Sequence, residues 1–244
     1  MLTDIFTIVW KEYRELFQPD SWRGIALSLV LPVIVFGLIL PLSIGPFWVK
    51  SPISIFFWAY LPLLRVLSPV VDAFAGERER HTLETLLATP ISDLAILLGK
   101  VGAIVGYAWM MTLIPILAGL AAVNYVYGHG RLLLYPANVA VGGALLSLLA
   151  ATLYTSIYTL FSLRATTVRQ AHEQLGLATT VLVYLPMLLL PLLPQQLMLS
   201  LFLPFLKASG GQLFGILVAG LLVLDGILLG LASKRFVRPR LILD

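Results

Sequence analysis

The sequence predicts an all-α integral membrane protein with a single transmembrane domain over residues 1–244. Of its 244 residues, 59% are hydrophobic and only 11% are charged, and the mean hydropathy is +0.97. Uncharged runs recur along the chain, and several exceed the ~20 apolar residues that cross a hydrocarbon core about 30 Å thick. A soluble domain of this size does not have such a composition. The sequence contains no cysteine, which excludes metal–thiolate sites.

Residues 1–20 are expected to form an amphipathic helix that lies on the membrane surface. Its apolar face consists of Phe6, Val9, Trp10, Tyr13, Leu16 and Phe17. Its polar face consists of Lys11, Glu12, Arg14, Glu15 and Gln18. These charges exclude a cleavable signal peptide, because no apolar signal core tolerates them. Pro19 is expected to end the helix.

Six membrane-spanning helices are predicted. Four of them correspond to the uncharged runs 24–49, 101–130, 132–163 and 174–206. Two more spans, 53–75 and 211–233, tolerate a charge within the apolar run, Arg65 in the first and Asp225 in the second. Prolines interrupt the stretch 191–210, which is too short to cross, so we expect an outer re-entrant or surface helix there.

Lysine and arginine set the expected orientation. With six spans, twelve of them lie on the side of the N-terminus, and three, Lys50, Arg131 and Lys207, lie on the other. The excess of Lys and Arg in cytoplasmic loops then predicts that both termini are cytoplasmic. The segment between the second and third spans is expected on that same side.

That connection, residues 76–93, holds the densest charge cluster of the chain and is called the 76–93 segment below. Leu83, Leu86 and Leu87 follow the charges with the spacing of one face of a short helix. Pro90 stops this helix, and Ser92 is placed to cap the third span, with Asp93 in its first turn. The pattern predicts an exposed amphipathic helix that binds a partner, and its alternative is an ordinary solvated loop.

Charges inside the spans are candidates for function, because an ionised side chain is costly in the bilayer. Arg65 and Asp225 are expected at similar depth and are predicted to form an intramembrane ion pair. The alternative is a role in substrate passage or ion coupling. Asp72 and Asp225 also suggest the carboxylate dyad of an intramembrane aspartyl hydrolase, although Asp225 lacks the G-x-G-D context of those proteases.

Small and hydroxyl-bearing residues recur at helical spacing in three spans. The pairs Gly102/Gly106 and Gly226/Gly230 each form a G-x-x-x-G pattern, which predicts close helix approach. Hydroxyl groups repeat along the fourth span, and they either pack against other helices or line a substrate path. The candidate path residues are Ser147, Thr155, Tyr158 and Thr159.

The run Glu77–Ser92, followed by Gly99-Lys100, resembles the coupling segment of ABC type-2 exporter permeases. In that family the pattern is approximately E-R-E-x-G-T-L-E-x-L-L-x-x-P-x-S, with a G-K that opens the third span. The match covers about 24 residues, and the plan of an amphipathic helix followed by six spans agrees along the whole chain. The sequence departs from the pattern at His81, where the family usually has glycine.

The resemblance implies the membrane-spanning permease subunit of an ATP-driven exporter in a prokaryotic plasma membrane. It also implies two copies of a cytoplasmic ABC ATPase, a second permease subunit as a homodimer, and surrounding membrane lipids, with no nucleic acid. This chain has no phosphate-binding loop, so ATP and Mg²⁺ belong to the ATPase, and no catalytic residue, cofactor or metal is expected here. The expected ATPase contacts are Glu77, Arg78, Glu79, Arg80, Thr82, Leu83, Glu84, Leu86, Leu87 and Pro90.

The apolar character of the spans favours a lipophilic or amphipathic substrate. The rival interpretation is a proton- or ion-coupled secondary transporter that uses Asp72, Arg65 and Asp225. The two halves of the chain show neither an inverted repeat nor matching broken helices, which counts against this rival.

Overall fold

A computed structural model describes residues 1–17, 24, 29–51, 53–181, 185, 194 and 210–236, and the described residues contain helices and turns but no strand. The shorter helices are α1 (Leu2–Leu16), α2 (Leu29–Ile44), α3 (Pro46–Lys50), α4 (Ile53–Tyr60), α5 (Leu63–Val71), α6 (Glu77–Glu79) and α7 (Thr82–Leu87). They are followed by α8 (Asp93–Tyr127), α9 (Ala137–Ser162), α10 (Val168–Thr179) and α11 (Gly210–Arg235). The all-α prediction is confirmed.

Four helices of the described part are long and apolar enough to cross a membrane: Ser54–Glu79, Asp93–Tyr127, Ala137–Ser162 and Phe214–Arg235. Residues 25–28 of the predicted first span lie outside the described residues, and α2 within it is shorter than a full span. Most of the predicted fifth span lies outside the described residues, and so does most of the outer helix over 191–210. The six-span count therefore stays a prediction.

Helix α8 is the longest element, with 35 residues. At 1.5 Å per residue it extends about 52 Å, well beyond a ~30 Å hydrocarbon core. It begins where the sequence predicts, because Ser92 Oγ accepts a hydrogen bond from the Ala95 amide at 3.3 Å. Asp93 lies in its first turn, where a negative charge is favourable. The early start places the first turns of α8 beside the 76–93 segment.

Helix α1 packs along the first half of α8, and glycines of α8 make that contact close. A Cβ added at Gly99 would lie 2.6 Å from Ile8 Cβ, and one at Gly106 would collide with the Tyr13 hydroxyl. The G-x-x-x-G pattern at Gly102 and Gly106 thus marks a close approach, as predicted, with α1 as the partner. Gly226 and Gly230 face open space among the described residues.

Burial divides α1 differently from its predicted faces. Ile8 and Glu12 are buried against the bundle, whereas Phe6 and Trp10 are exposed. A helix covers Leu2–Leu16 of the predicted range, its polar side also packs against protein, and its place on a membrane surface stays a prediction. Residues 18–20 of the predicted helix lie outside the described part.

The main core is formed where α5, α8 and α9 meet, and α10 and α11 complete it. Its fully buried side chains include Val66, Val70, Phe74, Ile104 and Leu175. Pro69 lies inside α5, and the helix widens directly after α5 into a π-helical turn at Asp72–Gly76. A π-turn is closed by i→i+5 hydrogen bonds, so residues five apart lie on one side of it.

Candidate functional site

The 76–93 segment begins as a continuation of the second span and then turns sharply at His81. The backbone of His81 is left-handed, with φ 56° and ψ 19°. This is the position where the resembling family has glycine, which adopts that conformation without the steric cost of a Cβ atom. Helix α7 follows as a short helix that ends before Pro90, as predicted.

Four charged side chains from three parts of the chain form a closed ring of alternating charge, called the charge ring below. Lys100 Nζ of α8 lies 2.8 Å from Glu12 Oε1 and 2.7 Å from Glu77 Oε1. Lys11 Nζ of α1 lies 3.0 Å from the same Glu12 oxygen and 2.6 Å from the same Glu77 oxygen. The charge ring thereby joins α1, the start of the 76–93 segment and α8.

Three members of the charge ring, Glu12, Glu77 and Lys100, are buried, whereas 36% of the Lys11 side chain is exposed. Lys100 is 0% exposed and Glu77 is 4% exposed. Lys100 also donates a hydrogen bond to the Ala73 carbonyl at 3.0 Å, and its Nζ lies 5.8 Å from the Phe74 ring centre. A buried charge that loses its partner costs about 3–5 kcal/mol, so each member depends on the others.

Lys11 is the most exposed member of the charge ring. Burial lowers the pKa of this ammonium, but the hydrogen bond to Glu77 and the charges of Glu12 and Glu77 outweigh burial and raise that pKa above its ordinary value. Glu15, one helical turn further along α1, also lies 3.0 Å from Lys11 Nζ. Lys11 is therefore held in its charged form.

Arg78 and Glu79 attach the 76–93 segment to the far side of the bundle. Arg78 donates to the carbonyls of Leu163 and Ala165 at 3.0 and 3.1 Å, just after α9 ends. Glu79 Oε2 accepts a hydrogen bond from the Val168 amide at 2.7 Å, at the start of α10. With Glu77 in the charge ring, all three of these predicted ATPase contacts have partners within the chain.

The leucines of α7 turn towards the chain's own core. Leu83 is 3% exposed and belongs to the main core, and Leu86 packs against that core. The side chain of Leu87 is outside the described part. The expectation that the apolar face points outward is wrong for Leu83. The spacing of the leucines predicts an apolar face, but it does not predict which part of the protein covers that face. The predicted contacts that are exposed are Glu79, Arg80, Thr82, Glu84 and Pro90.

The structure does not bring Arg65 and Asp225 together. Arg65 is buried on α5 beside Tyr107 of α8. Asp225 is 5% exposed, and neither of its carboxylate oxygens accepts a hydrogen bond from a described residue. The predicted ion pair is not formed, because α5 and α11 pack on α9 and have little contact with each other. Asp72 is exposed, as expected for a residue near the membrane boundary.

The four candidate path residues lie in helix packing. Ser147 Oγ accepts a hydrogen bond from Trp109 Nε1 at 3.2 Å, which links α9 to α8. Thr155 donates to the Ala151 carbonyl one turn earlier, and the Tyr158 hydroxyl bonds to that of Thr179. Thr159 is buried. None of the four lines the large cavity described next, so the substrate path stays a prediction.

A cavity of about 1050 Å³ lies between α1, α5 with its π-turn, the 76–93 segment and α8. Its walls are mixed. Leu16, Ile104 and Tyr107 contribute apolar and aromatic surface, and Asp72 and Arg80 contribute charge. The charge ring forms part of its wall through Lys11, Glu12 and Glu77. No local sequence pattern predicts this cavity, because its walls come from separate parts of the chain.

The charge ring was also missed from the sequence, although two signals for it were present. Glu77 opens the E-R-E pattern and Lys100 belongs to the G-K pattern, and both positions are parts of one motif. Glu12 belongs to the predicted polar face of α1. Only the packing of α1 against α8 shows that a third chain segment completes the arrangement.

Two comparisons with known proteins bear on this arrangement. No curated protein matches the chain. A family model described as ABC-2 family transporter protein matches residues 66–234. The match includes Glu77 and Lys100 of the charge ring and the 76–93 segment. It begins within the first of the four candidate spans and extends into the fourth. The chain is an integral membrane protein that belongs to the ABC-2 transporter family.

Proposed function

We propose that this chain is the permease subunit of an ATP-driven exporter and that a separate ABC ATPase drives it through the 76–93 segment. ABC-2 permeases work with an ABC ATPase subunit. The observation that carries the proposal is the charge ring, which ties this segment to α1 and α8. A cytoplasmic partner that displaces the segment also moves the helices attached to it.

The rigidity of the attachment supports this mechanism. The Glu77 carboxylate is held by two ammonium groups within 2.7 Å, and Arg78 and Glu79 hold the segment to the ends of α9 and α10. Charge-assisted hydrogen bonds are short and directional, so they resist shear better than apolar contact does. Movement of the segment is therefore expected to tilt α8 and α9 rather than to be absorbed locally.

The exposed residues of the segment provide the surface for the ATPase. Arg80, Thr82, Glu84 and Pro90 project from the turn and from α7, and they offer both signs of charge. Charges at the edge of an interface mainly fix orientation and partner choice. The contact proposed here is thus more polar than the leucine pattern suggested.

Membership of the family also supports a proposal for the rest of the assembly. We propose a homodimer of this chain with two ATPase copies, which hold ATP and Mg²⁺, in a prokaryotic plasma membrane with both termini in the cytoplasm. The lysine and arginine distribution supports this orientation. A lipophilic or amphipathic substrate fits the apolar spans.

Asp225 supports a second candidate function. A carboxylate buried in a span without a described hydrogen-bond partner is the kind of group that proton-coupled transporters use. Arg65 is not a hydrogen-bond partner of Asp225, so the charge pair no longer argues against proton coupling. Transport by the permease alone, driven by an imposed pH gradient, would favour this candidate.

Co-purification with the cognate ATPase tests the docking surface. Glu84→Arg reverses an exposed charge of α7 and is expected to abolish co-purification and ATPase stimulation without changing the melting temperature. Glu173→Arg is the matched control, because Glu173 is equally exposed but lies on α10, where its described partner is Arg169. Retention of the ATPase by Glu84→Arg would refute the docking assignment.

Reconstitution into vesicles tests the energy source. We expect transport only when the ATPase and ATP are both present, with no response to a pH gradient. Asp225→Asn is informative in the same assay, because it removes a titratable group from the span. It should leave ATP-driven transport intact and would abolish proton-coupled transport.

A further inference from the structure

A small cleft between the ends of α9 and α11, called the arginine cleft below, brings two positive charges to an apolar surface. Its volume is about 200 Å³, and its walls are formed by Leu160, Phe161, Arg164, Leu231 and Arg235. Three of these side chains are apolar and two carry a guanidinium group. The arginine cleft therefore suits a ligand that has both an apolar part and a negatively charged part.

The arginine cleft lies at the end of two candidate membrane spans. Helices α9 and α11 pack side by side, and at their other end a Cβ added at Gly142 would lie 3.1 Å from the Phe214 ring. Helix α9 ends at Ser162 and α11 ends at Arg235. Both are long and apolar enough to cross a membrane. A basic cleft between the ends of two spans is at the depth where lipid headgroups lie.

The charge of the arginine cleft is not balanced by an acid of the described chain. The ion pairs among the described residues involve neither Arg164 nor Arg235. Arg164 is exposed and Arg235 is half-buried. Two like charges that line one small cleft repel each other, and an anion between them replaces that repulsion by attraction.

The backbone around Arg164 is held on both sides. Arg78 of the 76–93 segment donates hydrogen bonds to the carbonyls of Leu163 and Ala165, at 3.0 and 3.1 Å. Leu163 and Ala165 are buried, whereas Arg164 between them is exposed. The Arg164 side chain is thus presented outward from a fixed turn.

Arg235 has a buried neighbour of the same kind. Phe236 follows it, is 1% exposed, and packs edge-on against Phe74 with the ring centres 6.1 Å apart. Binding at the arginine cleft therefore has to order two side chains but not the backbones that carry them. Such preorganisation lowers the entropic cost of binding.

We propose that the arginine cleft binds the phosphate of an anionic phospholipid between Arg164 and Arg235. A guanidinium presents two parallel N–H groups to phosphate oxygens, which gives directional as well as electrostatic binding. The volume of about 200 Å³ is below the ~300–1,000 Å³ of sites that enclose a whole small molecule. The arginine cleft is therefore suited to a headgroup whose acyl chains extend outside it.

An apolar strip on α11 favours a lipid over a free phosphate. It begins in the arginine cleft at Leu231 and continues through Ile227, Leu224 and Leu217, which are all exposed. These positions recur at the spacing of one helix face, so they form a continuous path along the span. An acyl chain attached to the bound phosphate can lie along this path.

Native mass spectrometry of the delipidated full-length chain tests the proposal. The probes are dioleoylphosphatidylglycerol and dioleoylphosphatidylcholine, which share acyl chains and a phosphate but differ in net charge. We expect one phosphatidylglycerol to bind saturably and about tenfold more tightly than phosphatidylcholine, the effect of about 1.4 kcal/mol. Equal affinity for the two lipids, or no saturable binding, would overturn the proposal.

Charge-removing variants distinguish the arginine cleft from a general attraction of anionic lipid to basic helix ends. Arg164→Gln and Arg235→Gln should each weaken phosphatidylglycerol binding by about tenfold. Lys234→Gln is the matched control, because it removes the same charge from the same turn of α11 but lies outside the arginine cleft. It should leave binding nearly unchanged. An equal loss in Lys234→Gln and Arg235→Gln would refute a specific site.

A variant without a change of charge tests the apolar wall. Leu231→Trp fills the arginine cleft and should weaken phosphatidylglycerol binding, whereas Leu222→Trp, at an exposed leucine outside the arginine cleft, should not. Wild-type affinity in both Leu231→Trp and Arg235→Gln would exclude this cleft.

Inorganic phosphate identifies the source of the bound phosphate group. At millimolar concentration it should not displace phosphatidylglycerol, because it cannot use the apolar strip. Complete displacement would overturn the lipid assignment in favour of a free-phosphate site. The result is independent of the docking test, since Glu84 lies outside the arginine cleft and Glu84→Arg should bind phosphatidylglycerol normally.

Discussion

Glu12 and Lys100 lie 88 positions apart in the sequence, and their side chains are joined by a hydrogen bond of 2.8 Å in a buried site. This contact holds the amphipathic N-terminal helix against α8. Since Glu77 accepts from the same ammonium, the 76–93 segment is fixed in the same place. Three elements that the sequence presents separately therefore form one mechanical unit.

Removing Lys100 should destabilise the protein strongly. Lys100→Met leaves Glu12 and Glu77 with only Lys11 between them, and one buried negative charge is no longer balanced. We expect the free energy of unfolding to fall by about 3–5 kcal/mol. Denaturant unfolding in detergent measures it, and Lys234→Met, at an exposed lysine of α11, is the matched control.

A double variant distinguishes the contribution of the charge ring to stability from its contribution to ATPase-driven transport. Lys100→Met with Glu77→Met replaces a buried ion pair by apolar side chains, which is often neutral or stabilising. The double variant should recover most of the stability that Lys100→Met loses. It should still lose ATPase-driven transport, because the directional link is gone. Recovery of both properties would show that the charge ring serves stability alone.

Gly99 and Gly102 should respond in opposite ways to alanine. A Cβ at Gly99 meets Ile8 Cβ at 2.6 Å and the Ile5 carbonyl at 3.2 Å, whereas the nearest atom to a Cβ at Gly102 is 3.9 Å away. Gly99→Ala should push α1 from α8 and cost about 1–3 kcal/mol. Gly102→Ala should be neutral or stabilising by up to about 1 kcal/mol. Thermal unfolding of both variants checks this.

His81 should tolerate glycine but not a β-branched residue. At φ 56° a Cβ atom destabilises the folded state by about 1–2 kcal/mol. Glycine lowers stability by a similar amount, because it gives the unfolded chain more conformational freedom. His81→Gly should therefore change stability by less than about 1 kcal/mol. His81→Val should lower stability by more than His81→Gly does, since branching worsens the left-handed conformation. A melting temperature of His81→Val equal to the wild type would contradict the turn geometry.

Arg65 and Asp225 should behave independently. The structure places Arg65 beside Tyr107 and gives Asp225 no described hydrogen-bond partner. In a double-mutant cycle of Arg65→Met and Asp225→Leu, the coupling energy should stay within about 0.5 kcal/mol. Denaturant unfolding in detergent measures the free energy of unfolding of the wild type, the two single variants and the double variant. Coupling well above that value would restore the ion pair that the sequence suggested.

The sequence by itself determined features that depend on local chemistry. The apolar runs identified the protein class and most of α8, α9 and α11, because length and hydrophobicity decide whether a helix can span a bilayer. Ser92 predicted a helix cap and Pro90 predicted a helix stop, since each acts on its immediate neighbours. The motif that contains Glu77 and Lys100 identified the family for the same reason.

Only the tertiary structure decided which groups meet across long separations. Periodicity showed that Leu83 belongs to an apolar face but could not show that the chain's own core covers it. Depth in the membrane suggested a pair between Arg65 and Asp225, yet helix packing kept their helices apart. The charge ring depends on α1 docking against Gly99, and such a contact follows from three-dimensional packing rather than from any local pattern.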